Sequence, residues 1–165
     1  MNLDNTDIKI LQALQNNGRL TNIQVSERVN LSPSPCHRRV KNLEASGLIM
    51  SYRAIISREK IGLPITVFVD VSLENNKEEG SIFFERAVHD IPNIISCHLV
   101  SGVADYRLEI VAKDLMSYEK TLKEIQRLPV VSSINSNFSI RTIKNGSPLP
   151  FDKDSVFAND VNNFT

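Results

Sequence analysis

Ser34, Arg38, Lys41 and Asn42 follow one another at intervals of four, three and one. On a helix that spacing gathers them on one face. A face offering a hydroxyl, two cations and an amide suits the major groove of DNA, where Arg bridges guanine and Asn bridges adenine. His37 and Arg39 flank the same face. A helix start also leaves N–H groups free to hold a phosphate. Further along, Ser101-Gly102-Val103-Ala104-Asp105 could meet a small ligand. Gly102 permits close backbone approach and a turn other residues resist. Asp105 offers a carboxylate to an ammonium group, and free N–H groups in the turn could hold a carboxylate. Together these suit a free amino acid, although an ordinary hairpin turn is the commoner meaning of Ser-Gly-x-x-Asp.

The elements that must carry these groups read as two blocks. Asp4 caps a helix with Ile8, Leu11 and Leu14 on one face, closing before Gly18. Thr21-Asn22-Ile23-Gln24 is a capping box opening a second helix, with Ile23 and Val25 inward and Asn30 as the turn residue. Pro33 and Pro35 are tolerated only in a first helical turn. Because a residue before proline avoids helical geometry, Ser34 is expected as the cap and Pro35 as the first helical residue. Gly47 ends this third helix, whose Cys36, Val40 and Leu43 face the core. Two helices on a tight turn, the second basic on its outer face, form a helix-turn-helix. Thr21 and Asn22 at the second helix start, with Ser32 and Pro35 at the third, complete the candidate DNA-contacting set.

Beyond it, Leu48 to Ser57 is apolar enough for a connecting strand, and Ile61-Gly62-Leu63-Pro64 breaks the chain. Ile65 to Leu73 alternates strictly and predicts a strand. A helix ending at Pro92, strands over 94–101 and 106–112, a helix capped by Asp114, and a strand over 130–143 follow. The order βαββαβ predicts a ferredoxin-like, four-stranded sheet with both helices on one face. The other face carries Asn135, Asn137 and Ser139, too polar for a dry core. The expected layout is an α+β chain: helix-turn-helix over 1–50, linker over 51–64, sheet domain over 65–144, and a tail over 145–165. The tail, with Phe151, Phe157 and Phe164, is expected to fray.

Composition agrees with two blocks. The 165 residues carry zero net charge, 41% hydrophobic and 23% charged residues, which excludes wholesale disorder. Residues 1–60 hold nine Lys/Arg against five Asp/Glu, and the remainder ten against fourteen, so a basic front precedes an acidic back. No apolar run approaches the ~18 residues of a membrane span, and the first thirty residues do not read as a signal peptide. A cytoplasmic protein is expected. Cys36 and Cys97 are too few for a disulfide framework or a four-ligand zinc site. Neither metal nor cofactor is expected, and His37, His89 and His98 form no acid–base or nucleophile constellation with the carboxylates.

Ser32-Pro33-Ser34-Pro35-Cys36, Arg38-Arg39-Val40, Leu43-Glu44, Gly47-Leu48-Ile49 and Tyr52 closely resemble the N-terminal half of the Lrp/AsnC transcription regulators. The resemblance continues through the second half. It implies a winged helix-turn-helix whose third helix reads double-stranded DNA. It implies a ferredoxin-like domain pairing sheet-to-sheet into dimers, then tetramers, octamers or higher forms; with no acid–base or nucleophile constellation in the sequence, no enzymatic activity is expected. It assigns Leu99, Ser101, Gly102, Val103, Ala104, Asp105 and Tyr106 to an effector loop, and Asn137, Phe138 and Ser139 to a second effector-contacting strand. That stretch is largely apolar in leucine-binding relatives, so a more polar ligand, methionine, or none stays open. The other open readings are an architectural DNA-wrapping protein without effector, and an enzyme similar to the sirohaem decarboxylases.

Overall fold

The computed structural model describes residues 3–74 and 78–151. The chain divides into two compact units, residues 1–55 with 144–165, and residues 56–143.

The first unit is built on three helices: α1 (Asn5–Asn16), α2 (Asn22–Arg28) and α3 (Pro33–Ala45). Asp4 caps α1 by accepting from the N–H groups of Thr6 and Asp7, while Asp7 bonds back to the cap N–H. Thr21 and Gln24 form the same reciprocal box on α2. Asn30, at φ 55°, makes the left-handed turn between α2 and α3. Past α3, Gly47 adopts φ 77° and its N–H reaches the Glu44 carbonyl at 3.0 Å. Ile10, Leu11, Val25, Val29, Cys36 and Leu43 fill the core, with Val40 packed beside them.

Three expectations are corrected here. Ser32, not Ser34, is the cap of α3, and Pro33 is its first residue. Both prolines fit because Pro33 and Pro35 lie in the first turn, where no N–H is needed. The Pro35 ring faces the carbonyl of Leu31, which is already outside the helix. Ile23 is 59% exposed, so Val25 alone of that pair enters the core. Residues 48–57 form no strand: they make no ladder with the four-stranded sheet, and an extended segment without such pairing is not a strand.

The second unit has the order β1 (Ile65–Leu73), α4 (Glu78–His89), β2 (Ile94–Leu99), β3 (Tyr106–Ala112), α5 (Leu115–Gln126), β4 (Val131–Phe138). All neighbouring strands are antiparallel, in the order β2-β3-β1-β4. Val67, Val69 and Val71 share one face with Leu108 and Ile110, packed under Phe84 and Val88 of α4 and Tyr118 and Ile125 of α5. Each such side chain, fully buried, contributes roughly 1.5–3 kcal/mol of transfer free energy. Among the described residues of this unit, no helix covers the opposite face. β2 and β4 are shorter than expected: the Ser139 N–H reaching the Thr66 carbonyl at 2.9 Å is the last rung of β4, because β1 begins at Ile65. Phe151 packs on the three-helix core rather than fraying, and Phe157 and Phe164 lie outside the described residues.

Candidate nucleic-acid interface and ligand concavity

The outer face of α3 presents Ser34, His37, Arg38, Lys41 and Asn42, all exposed. Arg38 makes no ion pair among the described residues, whereas Lys41 Nζ sits 2.8 Å from Glu44 Oε2. Arg39 turns inward instead, its guanidinium 2.7 Å from Asp4 and 2.8 Å from Asp7. It ties α3 to the start of α1, so its guanidinium is engaged within the helical unit, unlike that of Arg38. Thr21 is engaged in the capping box. The Asn22 amide donates to the Pro33 carbonyl at 2.9 Å, fixing the start of α2 against the start of α3. Pro35 is half-buried.

The double proline changes the anion-binding character of the α3 start. Pro33 and Pro35 carry no N–H, so Ser34 supplies the one N–H of the first three helical residues. Ser32 finds no N–H to cap at Pro35, and its side chain makes no capping bond. The phosphate grip expected from backbone donors therefore reduces to one N–H with the Ser32 and Ser34 hydroxyls beside it.

On the helix-free face of the sheet lies an open concavity of about 850 Å³. Its floor holds Asp70 and Arg107, paired side by side on β1 and β3. Arg107 Nε meets Asp70 Oδ1 at 2.7 Å and its Nη2 meets Oδ2 at 3.1 Å, a two-pronged pair. The guanidinium holds the Asp70 carboxyl below the usual carboxylate range. Ser72, Ser133 and Asn135 add polar groups, and Leu99, Ser101, Val103 and Ala104 make the loop wall. Gly102 stands in that loop at φ 139°, a conformation strained for any side chain.

Of the expected effector residues, Asp105, Tyr106, Asn137, Phe138 and Ser139 do not line the concavity. Asp105 Oδ2 accepts the Leu73 N–H at 2.8 Å, and its own N–H donates to the Val71 carbonyl at 3.0 Å. It braces the loop on β1. Tyr106 faces the helices, its ring centroid 4.7 Å from that of Phe84 and its hydroxyl donating to Glu85 at 2.9 Å. Phe138 likewise meets Tyr118 edge-on at 5.2 Å. Asn137 lies on the helix-free face opposite Phe68. Asp70, Ser72, Arg107 and Ser133 stand outside every sequence motif. The signal for them is parity alone, since charges alternating with Val69 and Val71, or with Tyr106 and Leu108, must face away from the core.

Cys36 is buried, which pushes its thiol pKa up, and Cys97 and His98 point to opposite faces of β2. Among the described residues no three His, Cys, Asp or Glu side chains gather as a metal site, and no helix is long and apolar enough to cross a membrane.

Residues 3–50 match the family described as winged helix-turn-helix DNA-binding, and residues 66–149 the Lrp/AsnC ligand binding domain. The chain is 41% identical over 143 residues to the leucine-responsive regulatory protein of Haemophilus influenzae, covering 86% of each. It is 36% identical over 143 residues to the proline dehydrogenase transcriptional activator of Rhizobium radiobacter, covering 86% of this chain and 92% of that one. A transcriptional regulator of Neisseria meningitidis, solved as its L-methionine complex, superposes with a TM-score of 0.85 at 40% identity, covering 90% of this chain and 96% of that one. Both halves of the architecture, the basic helix-turn-helix and the βαββαβ sheet domain, are thus matched in sequence and in three dimensions, and the chain belongs to the Lrp/AsnC family of transcriptional regulators.

Proposed function

We propose that this regulator reads duplex DNA through the outer face of α3 and responds to a free amino acid held in the sheet-face concavity. The observation that carries the DNA reading is the exposed, unpaired Arg38 beside Lys41 and Asn42 on a helix whose opposite side is anchored in the core. Ser32, Ser34 and Lys41 meet phosphate, while Arg38, Asn42 and His37 face base edges. Arg39, Thr21 and Asn22 hold the helices at the angle this requires.

For the effector, the Asp70–Arg107 pair offers both charges that a zwitterion needs, a carboxylate for its ammonium and a guanidinium for its carboxylate. Leu99, Val103 and Ala104 then meet its side chain. The L-methionine complex of the Neisseria meningitidis relative supports an amino acid of moderate, apolar side chain. The chain acts as a homodimer or higher assembly in the cytoplasm, since two recognition helices on neighbouring half-sites multiply affinity and specificity. Effector and DNA affect each other reciprocally by linkage.

A thermal-shift screen against the twenty amino acids tests the effector reading. Ligand at 100 times its dissociation constant adds about 2.7 kcal/mol of stability. A shift lost in Asp70→Asn supports the site; no shift with any amino acid would favour an architectural DNA-wrapping protein without effector.

A further inference from the structure

Lys41 and Glu44 stand three residues apart on α3, and Lys41 Nζ lies 2.8 Å from Glu44 Oε2. Tyr52, beyond the end of the helix, holds the other oxygen of the same carboxylate. Its hydroxyl donates to Glu44 Oε1 at 3.2 Å. The Tyr52 ring rests beside Gly18, where an added Cβ would lie 3.3 Å from Tyr52 Cδ1. Glu44 is thereby engaged at both oxygens, its side chain 30% exposed against 62% for Lys41. The Lys41 ammonium first, and the Tyr52 hydroxyl after it, hold the Glu44 carboxyl below the usual carboxylate range, so it is charged at neutral pH.

The helix itself gains little from an acid at this position. Glu44 lies in the last turn of α3, where the carbonyl end of a helix disfavours a carboxylate. An ion pair with so exposed a lysine adds little to stability. What the pair changes is the charge offered to a polyanion. Of the three Lys/Arg on α3, Arg39 is paired with Asp4 and Asp7, and Lys41 with Glu44, while Arg38 makes no ion pair among the described residues. The unpaired cation is the one read above as facing base edges, and Lys41 is the one assigned to phosphate. A phosphate contact carries no sequence information, so weakening it lowers binding to every duplex without lowering discrimination.

We propose that Glu44, held in place by Tyr52, is a positioning residue that competes with the DNA backbone for Lys41 and so holds down sequence-independent binding. The proposal rests on the reading above, that α3 engages duplex DNA with Lys41 on phosphate. On binding, the ammonium exchanges one anion for another, so its net gain is smaller than that of a free lysine. Tyr52 keeps the carboxylate from turning away, and the competitor stays within reach of Lys41.

The test titrates full-length wild type, Glu44→Gln and Tyr52→Phe, by fluorescence anisotropy, with a duplex enriched by the wild type from a random pool and with an unrelated duplex of equal length. Glu44→Gln tightens both by roughly three- to tenfold and leaves their ratio unchanged. Tyr52→Phe keeps the ring and shifts affinity the same way by less, roughly twofold, and adds nothing in the Glu44→Gln background. In the Lys41→Ala background Glu44→Gln gains less than about 1.5-fold. A gain that requires Lys41 is a readout that neither a lost structural contact nor a general change of net charge would give. An equal gain with and without Lys41 would overturn the competition, and so would unchanged or weaker binding by Glu44→Gln. Either outcome leaves the DNA-reading proposal standing. Tyr52→Phe at wild-type affinity would strike Tyr52 from the role. A wild type that binds neither duplex would defeat the DNA-reading proposal, and this one with it.

Discussion

The carboxylate of Asp105 accepts the backbone N–H of Leu73 at 2.8 Å, joining the β2–β3 loop to the end of β1. The acid most conspicuous in the loop motif is thus a brace, and the acid in the concavity is Asp70, one strand away. Asp105→Ala removes a charged hydrogen bond to a part-buried donor and should cost about 1–3 kcal/mol, read by urea denaturation. Asp105→Asn keeps an acceptor oxygen and should recover most of that loss. Equal destabilisation by both would count against the brace.

Replacing Arg107 by Ala, or Asp70 by Asn, should abolish the amino-acid thermal shift while leaving the fold intact. Both positions lie on the helix-free face, so the core under α4 and α5 is untouched. A full shift in either variant would remove that residue from the effector site.

Arg38→Ala should weaken specific DNA binding by about 1–3 kcal/mol, while Lys41→Ala should weaken all sequences alike and lower the salt slope by about one. Fluorescence anisotropy over a salt series separates the two. An Arg38→Ala protein with unchanged affinity for its selected duplex would refute base contact.

Acid should loosen the helical unit through Asp4. Its carboxyl is held below the ordinary 3.8, first by the Asp7 backbone N–H and further by the Arg39 guanidinium. A depressed folded pKa contributes stability that is whole above the unfolded value and is lost as pH falls through the folded one. The loss therefore begins near pH 3.8 and grows below it. Asp4→Asn should lower the melting temperature at pH 6 and flatten its acid dependence. A wild-type slope in that variant would exclude Asp4 as a contributor.

Leu43→Ala should cost about 2–5 kcal/mol, because Leu43 is fully buried in a small core with Cys36 and Ile10. Calorimetry should show the transition of the helical unit lowered.

Local chemistry is legible in the sequence itself. The capping boxes at Asp4 and Thr21, the left-handed Asn30, the Gly47 stop and the alternation from Ile65 to Leu73 each depend on residues within a few positions of one another. Such short-range signals, with right-handed crossovers, determine the helix-turn-helix and the βαββαβ order from sequence alone. The α3 start lies two residues before the position the proline pattern predicts, because the penalty before proline is weak against a whole helix packed on its core. Partnerships across long sequence separations were decided only in three dimensions. Arg39 could have faced DNA, but folding sets it beside Asp4 and Asp7, more than thirty residues earlier. Asp70 and Arg107 become neighbours through strand register, Asp105 turns toward Leu73, and Gln15 meets Leu149. Sequence periodicity says which face a side chain occupies; only the register and packing of distant segments say which group waits on that face to meet it.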